Sequence, residues 1–519
     1  MEELSRSNSQ TAAVHTDVVV FDGQTEQGVE LDYVLPDYCP DIFKILKCSL
    51  IPRVISYNVS VDSKLMLDGV VYIKVLYLAE NSNAVHCIDQ RYTYSKTVDM
   101  GKRETPADNV TVSIIPKTDY CNCRAVNSRR IDVRGAVSCR IRAIGSATYF
   151  LPQIPDGLQA RTKEISCCGK TLSAQKQFTV REEIETGASG IGFIAQCDAV
   201  PKITDLRVIA DKAVLKGTVT IDALYGIHDP ESSGCTEMEK MTADIPVSAI
   251  LDINGITDTH LTLPELSVMN CELAARTDSG LISCELLMEC RVRAQSEETS
   301  VITTDVYSTD FETEFTVAPL KISTVPRVAS KQLSMRSTLS CDSGEIRSVW
   351  DCRSELGSVM CRPKSESELS LTAQLSCQAI GKTTDGIPFF IEKQETFEQD
   401  IPAAHVTQDT STDFSIAVTD TGFAIKSDGA LEITASIDFS GSLHNIKTID
   451  AINAVTVRED KPKDKSEEFA LRICYIGEDT ADCWSVAKRY NTTVEALMRE
   501  NEIEDEQTAL SGMVLIPTV

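Results

Sequence analysis

Long rows of strict two-residue alternation run through most of this chain. Leu369, Leu371, Ala373, Leu375 and Cys377 alternate with Ser370, Thr372, Gln374, Ser376 and Gln378. Leu431, Ile433, Ala435, Ile437 and Phe439 do the same against Glu432, Thr434, Ser436 and Asp438, and Ile282, Cys284, Leu286, Met288, Cys290 and Val292 make another row. Successive side chains of an extended chain point to opposite faces. Such rows therefore require strands with one face buried and one wet, as in antiparallel sheets. Turn signals such as Asp428-Gly429 separate them. The pattern predicts a mainly β chain built from antiparallel β-sandwich or barrel-like units.

Landmarks recur along these rows. Val18-Val19-Val20, Phe178-Thr179-Val180 and Phe315-Thr316-Val317 open three candidate copies. Pro52 leads to Gly69 and Tyr77, and Pro201 leads to Gly217 and Tyr225. Cys139-Arg140-Ile141-Arg142-Ala143 answers Cys290-Arg291-Val292-Arg293-Ala294, with Ala435 to Phe439 as a weaker third version. Recurrence in one order indicates tandem repeats. The expected division is a loose N-terminus (1–16) and three β-domains (17–151, 175–310 and 311–458). The stretch Gln153 to Ala174, with Pro155, Gly157 and Gly169, reads as an interdomain linker. The charged run 459–468 reads as a solvated tether.

Beyond that run the periodicity changes. Leu471 to Ile476 is strand-like, with Ile473 and Tyr475 on one face, and Gly477 turns the chain. Glu478, Asp479 and Thr480 offer turn and cap chemistry. Trp484, Ala487 and Tyr490 recur at helical spacing, and Thr492 and Glu495 have capping-box spacing before the stripe Val494, Leu497 and Met498. Gly512 precedes a last strand, Met513 to Ile516, ended by Pro517. A β-α-α-β unit of about fifty residues is near the lower limit for a self-standing core.

Leu471 to Pro517 resembles a LysM domain, most specifically in Trp484 to Tyr490, Asn501 and the Gly512 to Pro517 ending. The resemblance implies a small α+β fold, a two-stranded sheet backed by two helices. It also implies a groove for N-acetylglucosamine polymers formed by Gly477, Asp479, Thr480, Asn501 and Ile503. Ala481, Asp482 and Cys483 make the loop before Trp484 longer and more acidic than the family's usual one. That favours a protein ligand over a glycan, since a fold does not fix its ligand. The β-repeats resemble SPOCS domains, most tellingly in Leu35-Pro36-Asp37-Tyr38-Cys39-Pro40-Asp41-Ile42-Phe43-Lys44-Ile45-Leu46. Repeats plus a terminal LysM module resemble the SipL family of spore-envelope morphogenetic proteins. This implies a mother-cell protein at the forespore surface whose LysM module docks onto the coat basement-layer ATPase SpoIVA.

Composition narrows the alternatives. Over 519 residues the formal net charge is −27 without a basic stripe, which disfavours nucleic acid and anionic membrane surfaces as partners. Met1 to Val20 lacks a secretory pattern, and no apolar run is long enough to cross a bilayer. Nineteen cysteines without a framework fit reduced thiols in a cytosol. Cys123, Cys139, Cys284, Cys290 and Cys377 fall at alternating strand positions and are expected as small core side chains. Cys167-Cys168, in the linker, is either an exposed redox pair or inert. Gly381-Lys382-Thr383 reads as a hairpin turn rather than a phosphate loop, because Ser376 stands where the loop glycine belongs. The six histidines show no zinc spacing. No catalytic residues, metal site or cofactor are expected. The chain reads as a non-enzymatic adaptor of the spore coat that associates with coat proteins or itself. The alternative is a peptidoglycan-binding protein of the cell wall or spore cortex.

Overall fold

The computed structural model describes residues 13–60, 62–80, 82–101, 107–188, 190–228, 234–276, 280–463, 470–506 and 508–518, with backbone alone at 477–480. The first repeat holds β1 (Ala13–Val34), β2 (Ile42–Val59), β3 (Lys64–Ala79), β4 (Val85–Asp99), β5 (Asp108–Asn127) and β6 (Arg130–Phe150). They form two three-stranded antiparallel sheets, β1-β6-β5 and β2-β3-β4. After β7 (Leu158–Cys168), the plan repeats with β8 (Leu172–Glu185), β9 (Ile191–Ile209), β10 (Lys212–Ile227), β11 (Glu237–Asp252), β12 (Leu261–Arg276) and β13 (Leu281–Gln295). The sheets are β8-β13-β12 and β9-β10-β11. β14 (Glu297–Ser308) and β15 (Phe311–Ser323) lead to the third copy. It comprises β16 (Arg327–Leu339), β17 (Ile346–Ser365), β18 (Glu368–Thr383), β19 (Pro388–Pro402), β20 (Thr410–Ile425) and β21 (Leu431–Pro462), paired as β16-β21-β20 and β17-β18-β19.

Each copy is a sandwich whose inner faces are the alternating rows. Leu369, Leu371, Ala373, Leu375 and Cys377 meet Leu431, Ile433, Ala435, Ile437 and Phe439 across the third core. Each fully buried Leu or Ile contributes about 1.5–3 kcal/mol. Cys139, Cys284, Cys290 and Cys377 are buried, and Cys123 packs half-buried against the first core.

β-Bulges fix which positions correspond. One extra residue interrupts the pairing of β2 with β3 at Leu46, of β9 with β10 at Ala195 and of β17 with β18 at Trp350. A bulge turns its side chain away from the sheet's alternation. All three side chains point out of their sandwiches into one shared core with Leu76, Leu224 and Ile380. The repeats thus close around a hub to which each gives the same two positions. A second bulge set, Asp119, Met269 and Thr419, lies beside Val137, Met288 and Ile437. From these, Pro52 and Pro201 correspond, whereas the third version of Cys139–Ala143 is Phe439–Leu443, four residues beyond the expected one. The opening triplets do not correspond either. Gln27 and Phe178 are the residues paired with Val137 and Met288, and Phe315 lies on β15, outside the third sandwich.

Register also explains the Cys-Arg-x-Arg-Ala motif. Its odd positions enter their own core, while the arginines leave on the other face and enter a neighbouring repeat. Arg142 donates to Thr412 O at 2.9 Å and Ser411 Oγ at 3.1 Å, Arg293 donates to Asp413 at 3.0 Å, and Arg291 donates to Val112 O at 2.6 Å.

The linkers are structured. Gln153 to Ala174 contains β7, which pairs with β14, so Cys167 and Cys168 are fully buried rather than exposed. Burial raises both thiols, Cys168 to about 12. The first part of the charged run extends β21 to Pro462, which pairs with Phe311. The rest of that run, 464–468, lies outside the described residues, as do residues 1–12 of the expected loose N-terminus.

The C-terminal module is β22 (Leu471–Ala481), α1 (Cys483–Tyr490), α2 (Val494–Glu500) and β23 (Leu510–Pro517), with β22 antiparallel to β23. The caps sit later than the sequence spacing implied. Asp482, not residues 478–480, caps α1 by accepting from Ser485 N at 3.0 Å. Thr493, not Thr492, caps α2 by accepting from Ala496 N at 3.1 Å. Thr492 is buried, and its carbonyl serves another contact.

Candidate binding site

The terminal module is seated on the β7–β14 ribbon by one side of α1. Trp484 Nε1 donates to Asp305 Oδ2 at 2.8 Å, and Lys488 Nζ reaches Asp305 Oδ1 at 2.6 Å. Tyr307 of β14 enters the module's own core. Its ring meets Trp484 edge-on at 5.0 Å, and its hydroxyl donates to Thr492 O at 2.7 Å. Arg161 pairs with the cap residue Asp482 at 2.9 Å, and Lys463 donates to Asn491 Oδ1 at 2.8 Å. Burial of Asp305 raises its pKa, but Lys488 and Trp484 outweigh it and leave the carboxyl below its usual range. The module is therefore docked, not a head carried free on its tether.

Docking is through α1, and among the described residues nothing covers the outer face of the β22–β23 sheet. Leu471, Ile473, Tyr475 and Met513 stand there 40%, 69%, 76% and 77% exposed, with Tyr475 paired to Met513. The inward row of β22 is instead Cys474 and Ile476. Four neighbouring large apolar side chains on a sheet face mark a contact surface better than isolated ones do. The alternation Leu471, Ile473, Tyr475 was visible in the sequence. Which of the two rows faced solvent depended on the helices.

The groove positions inferred from the LysM resemblance fare differently. The side chains of Gly477, Asp479 and Thr480 lie outside the described residues; their backbone forms the irregular end of β22 between Ile476 and Ala481. Asn501 is spent on the fold. Its Nδ2 donates to Leu497 O at 2.8 Å and Leu515 O at 2.6 Å, and its Oδ1 accepts from Leu515 N at 2.8 Å. Ile503, the residue after next, packs half-buried against the module's core.

A second concavity lies between the three repeats. It has a volume of about 1100 Å³ and is bordered by β2, β5, β9, β17 and β20. At its floor Lys47 of the first repeat donates to Gln196 of the second at 2.8 Å and Gln378 of the third at 2.7 Å. Burial holds Lys47 below its ordinary pKa. Four carboxylates along the cleft are engaged: Asp198 with Arg353, Asp119 with Ser138 at 2.9 Å, Asp222 with Thr242, and Glu392 with Ser376 at 2.6 Å. Lys47 and the Asp198–Arg353 pair join the repeats, while the other three pairs each lie within one repeat. Gly381 and Lys382 end β18 before a hairpin turn, and Lys382 crosses to Glu237 of the second repeat at 2.9 Å. Among the described residues no histidine, cysteine or carboxylate cluster is arranged to hold a metal, and no helix is long and apolar enough to cross a membrane.

Comparison with known proteins bears on both parts. Residues 41–125 and 191–274 match the SipL, SPOCS domain, and residues 482–516 match the LysM domain. No curated protein and no solved structure matches the chain. The two SPOCS matches fall on the first and second sandwiches. The third sandwich, unmatched, repeats their strand order and bulges. The chain therefore carries two SipL, SPOCS domains and a C-terminal LysM domain, a SipL-like combination that suggests a sporulation-associated, cell-envelope-binding protein.

Proposed function

We propose that the protein is a non-enzymatic adaptor of spore-coat assembly, acting in the mother cell at the forespore surface, whose LysM domain docks onto a SpoIVA-like basement-layer ATPase. The observation that carries this reading is the uncovered apolar face of β22 and β23. A sheet face bearing Leu471, Ile473, Tyr475 and Met513 suits a protein partner that buries it, since about 25 cal/mol is gained per Å² of apolar surface removed from water. The domain's other side is already taken by the ribbon. The SPOCS repeats, clasped around their hub, form a rigid base that holds this face outward.

The test uses the full chain, because the module's core includes Tyr307 of β14. Ile473→Asp with Tyr475→Ser changes only exposed side chains, so the melting temperature should stay within a degree or two of the parent. Capture of the purified ATPase should fall at least tenfold. Undiminished capture by this variant removes the face from the argument. A second reading, peptidoglycan binding, is supported by the LysM match itself. Retention on sedimented peptidoglycan that chitin oligomers compete away, unaffected by the double substitution, would favour it.

A further inference from the structure

Two cysteine pairs occupy the same place in the first two repeats. Cys48 Sγ on β2 lies 3.4 Å from Cys121 Sγ on β5, and Cys197 Sγ on β9 lies 3.5 Å from Cys271 Sγ on β12. Cys48 and Cys197 each stand two residues beyond their hub bulge, Leu46 and Ala195. Cys121 and Cys271 each stand two residues beyond the other bulge, Asp119 and Met269. The third repeat keeps the first member, Cys352, two residues beyond Trp350, but has Thr421 where the second belongs. The pairing is thus a property of a defined position, present in the two repeats that match the SPOCS domain.

The position is informative. β2 and β5 are edge strands of different sheets, and so are β9 and β12. Each pair sits where the two open edges of a sandwich approach, and no backbone ladder joins the strands there. All four cysteines are only half-buried. Cys48 and Cys121 also border the cleft between the repeats. A disulfide needs its sulfurs at ~2.05 Å, so the pairs must close by about 1.4 Å. That is within the reach of side-chain rotation.

We propose that Cys48–Cys121 and Cys197–Cys271 are matched disulfide-forming pairs, closed by exchange with a low-molecular-weight disulfide, each stapling the two sheets of its repeat at the same open edge. One thiolate of a pair attacks the small disulfide, forms a mixed disulfide and releases one small thiolate. The second protein thiol then loses its proton and attacks the mixed disulfide at the protein sulfur, releasing the other small molecule as thiol. Two protein thiols are oxidised and one small disulfide is reduced to two thiols. The first pair closes sooner, because it faces the cleft. Its shared hydrogen bond also holds the Cys121 thiol down while pushing Cys48 up. In the second pair both thiols are raised, Cys271 to about 12. Each bond would close a long segment of chain, since its cysteines are 73 or 74 residues apart, and closure of long segments limits the unfolded ensemble most.

The test is incubation of the full-length protein with oxidised glutathione, alkylation of the remaining thiols and non-reducing peptide mapping. The expected result is a Cys48–Cys121 link, then a Cys197–Cys271 link, with four thiols lost per chain in all. The melting temperature should rise by several degrees and return on reduction. Cys121→Ser should abolish the first link and its share of the rise while leaving the second link unchanged, and Cys271→Ser should do the converse. The reduced variants should melt with the reduced parent, which shows that they are folded. Cys123 borders Cys48 and Cys284 borders Cys271 as competing thiols. Links from Cys48 to Cys123 or from Cys271 to Cys284, or no link within folded protein, overturn the proposal.

Discussion

Removing Asp305 should release the LysM domain from the ribbon without unfolding the repeats. In Asp305→Ala, Trp484 Nε1 and Lys488 Nζ lose the carboxylate that both contact, at 2.8 and 2.6 Å. Loss of charge-assisted hydrogen bonds from a mostly buried site costs about 2–4 kcal/mol. Tyr307→Phe is a finer cut. It leaves Thr492 O without its donor, at about 1–2 kcal/mol, while keeping the ring against Trp484. Every 1.4 kcal/mol is a factor of ten in population, so amide exchange in α1 should accelerate roughly thirty-fold or more in Asp305→Ala and less in Tyr307→Phe. The chain has only two tryptophans, so a Trp350→Phe background reports Trp484 alone, and its emission should shift to the red as the indole meets water. Acid should act in the same direction. A carboxyl held below its unfolded value contributes stability that is complete above about pH 4 and lost as the pH falls through its folded value. Unchanged exchange in α1 and unchanged emission in Asp305→Ala would refute the docking account.

His444 offers a second pH test: burial, then Arg142 and Arg293, push it down to about 4. The unfolded chain binds its proton first, so stability should fall by about 3 kcal/mol between pH 6.5 and 4, as followed by urea melts, and His444→Gln should flatten that slope. Arg291→Ala leaves the buried Glu289 without its cation and removes the nearer of the two donors to Val112 O, and should cost about 3–5 kcal/mol; Arg291→Met together with Glu289→Gln should recover much of it.

The sandwiches were legible because period two is a direct record of which face is buried. The row from Leu369 to Cys377 reads the same in the sequence and in the third core. What escaped was the correspondence between copies. Bulges at Leu46, Ala195 and Trp350 insert a residue without leaving a residue type as a mark, so matching by apolar triplets placed Phe315 in the wrong strand. The clasping arginines were visible as a motif, but their partners are supplied by other repeats far along the chain. The linker around Cys167 looked loose because Pro155, Gly157 and Gly169 punctuate it; pairing with β14 overrides that local preference. In the LysM domain the helices were found from Trp484, Ala487 and Tyr490. Of the groove positions, Asn501 has its amide engaged by Leu497 and Leu515, a role in the fold that the resemblance did not imply.

Tyr307 has a wider consequence. A domain whose interior is completed by a residue from outside its own stretch of chain is not a detachable part. Severed at the tether, it would keep its fold pattern and lose its keystone. A partner that grips the LysM domain and shifts its seat must also move a side chain rooted between the second and third repeats. Occupancy at one end and the fit of the repeats at the other are then two readings of a single equilibrium, each able to bias the other.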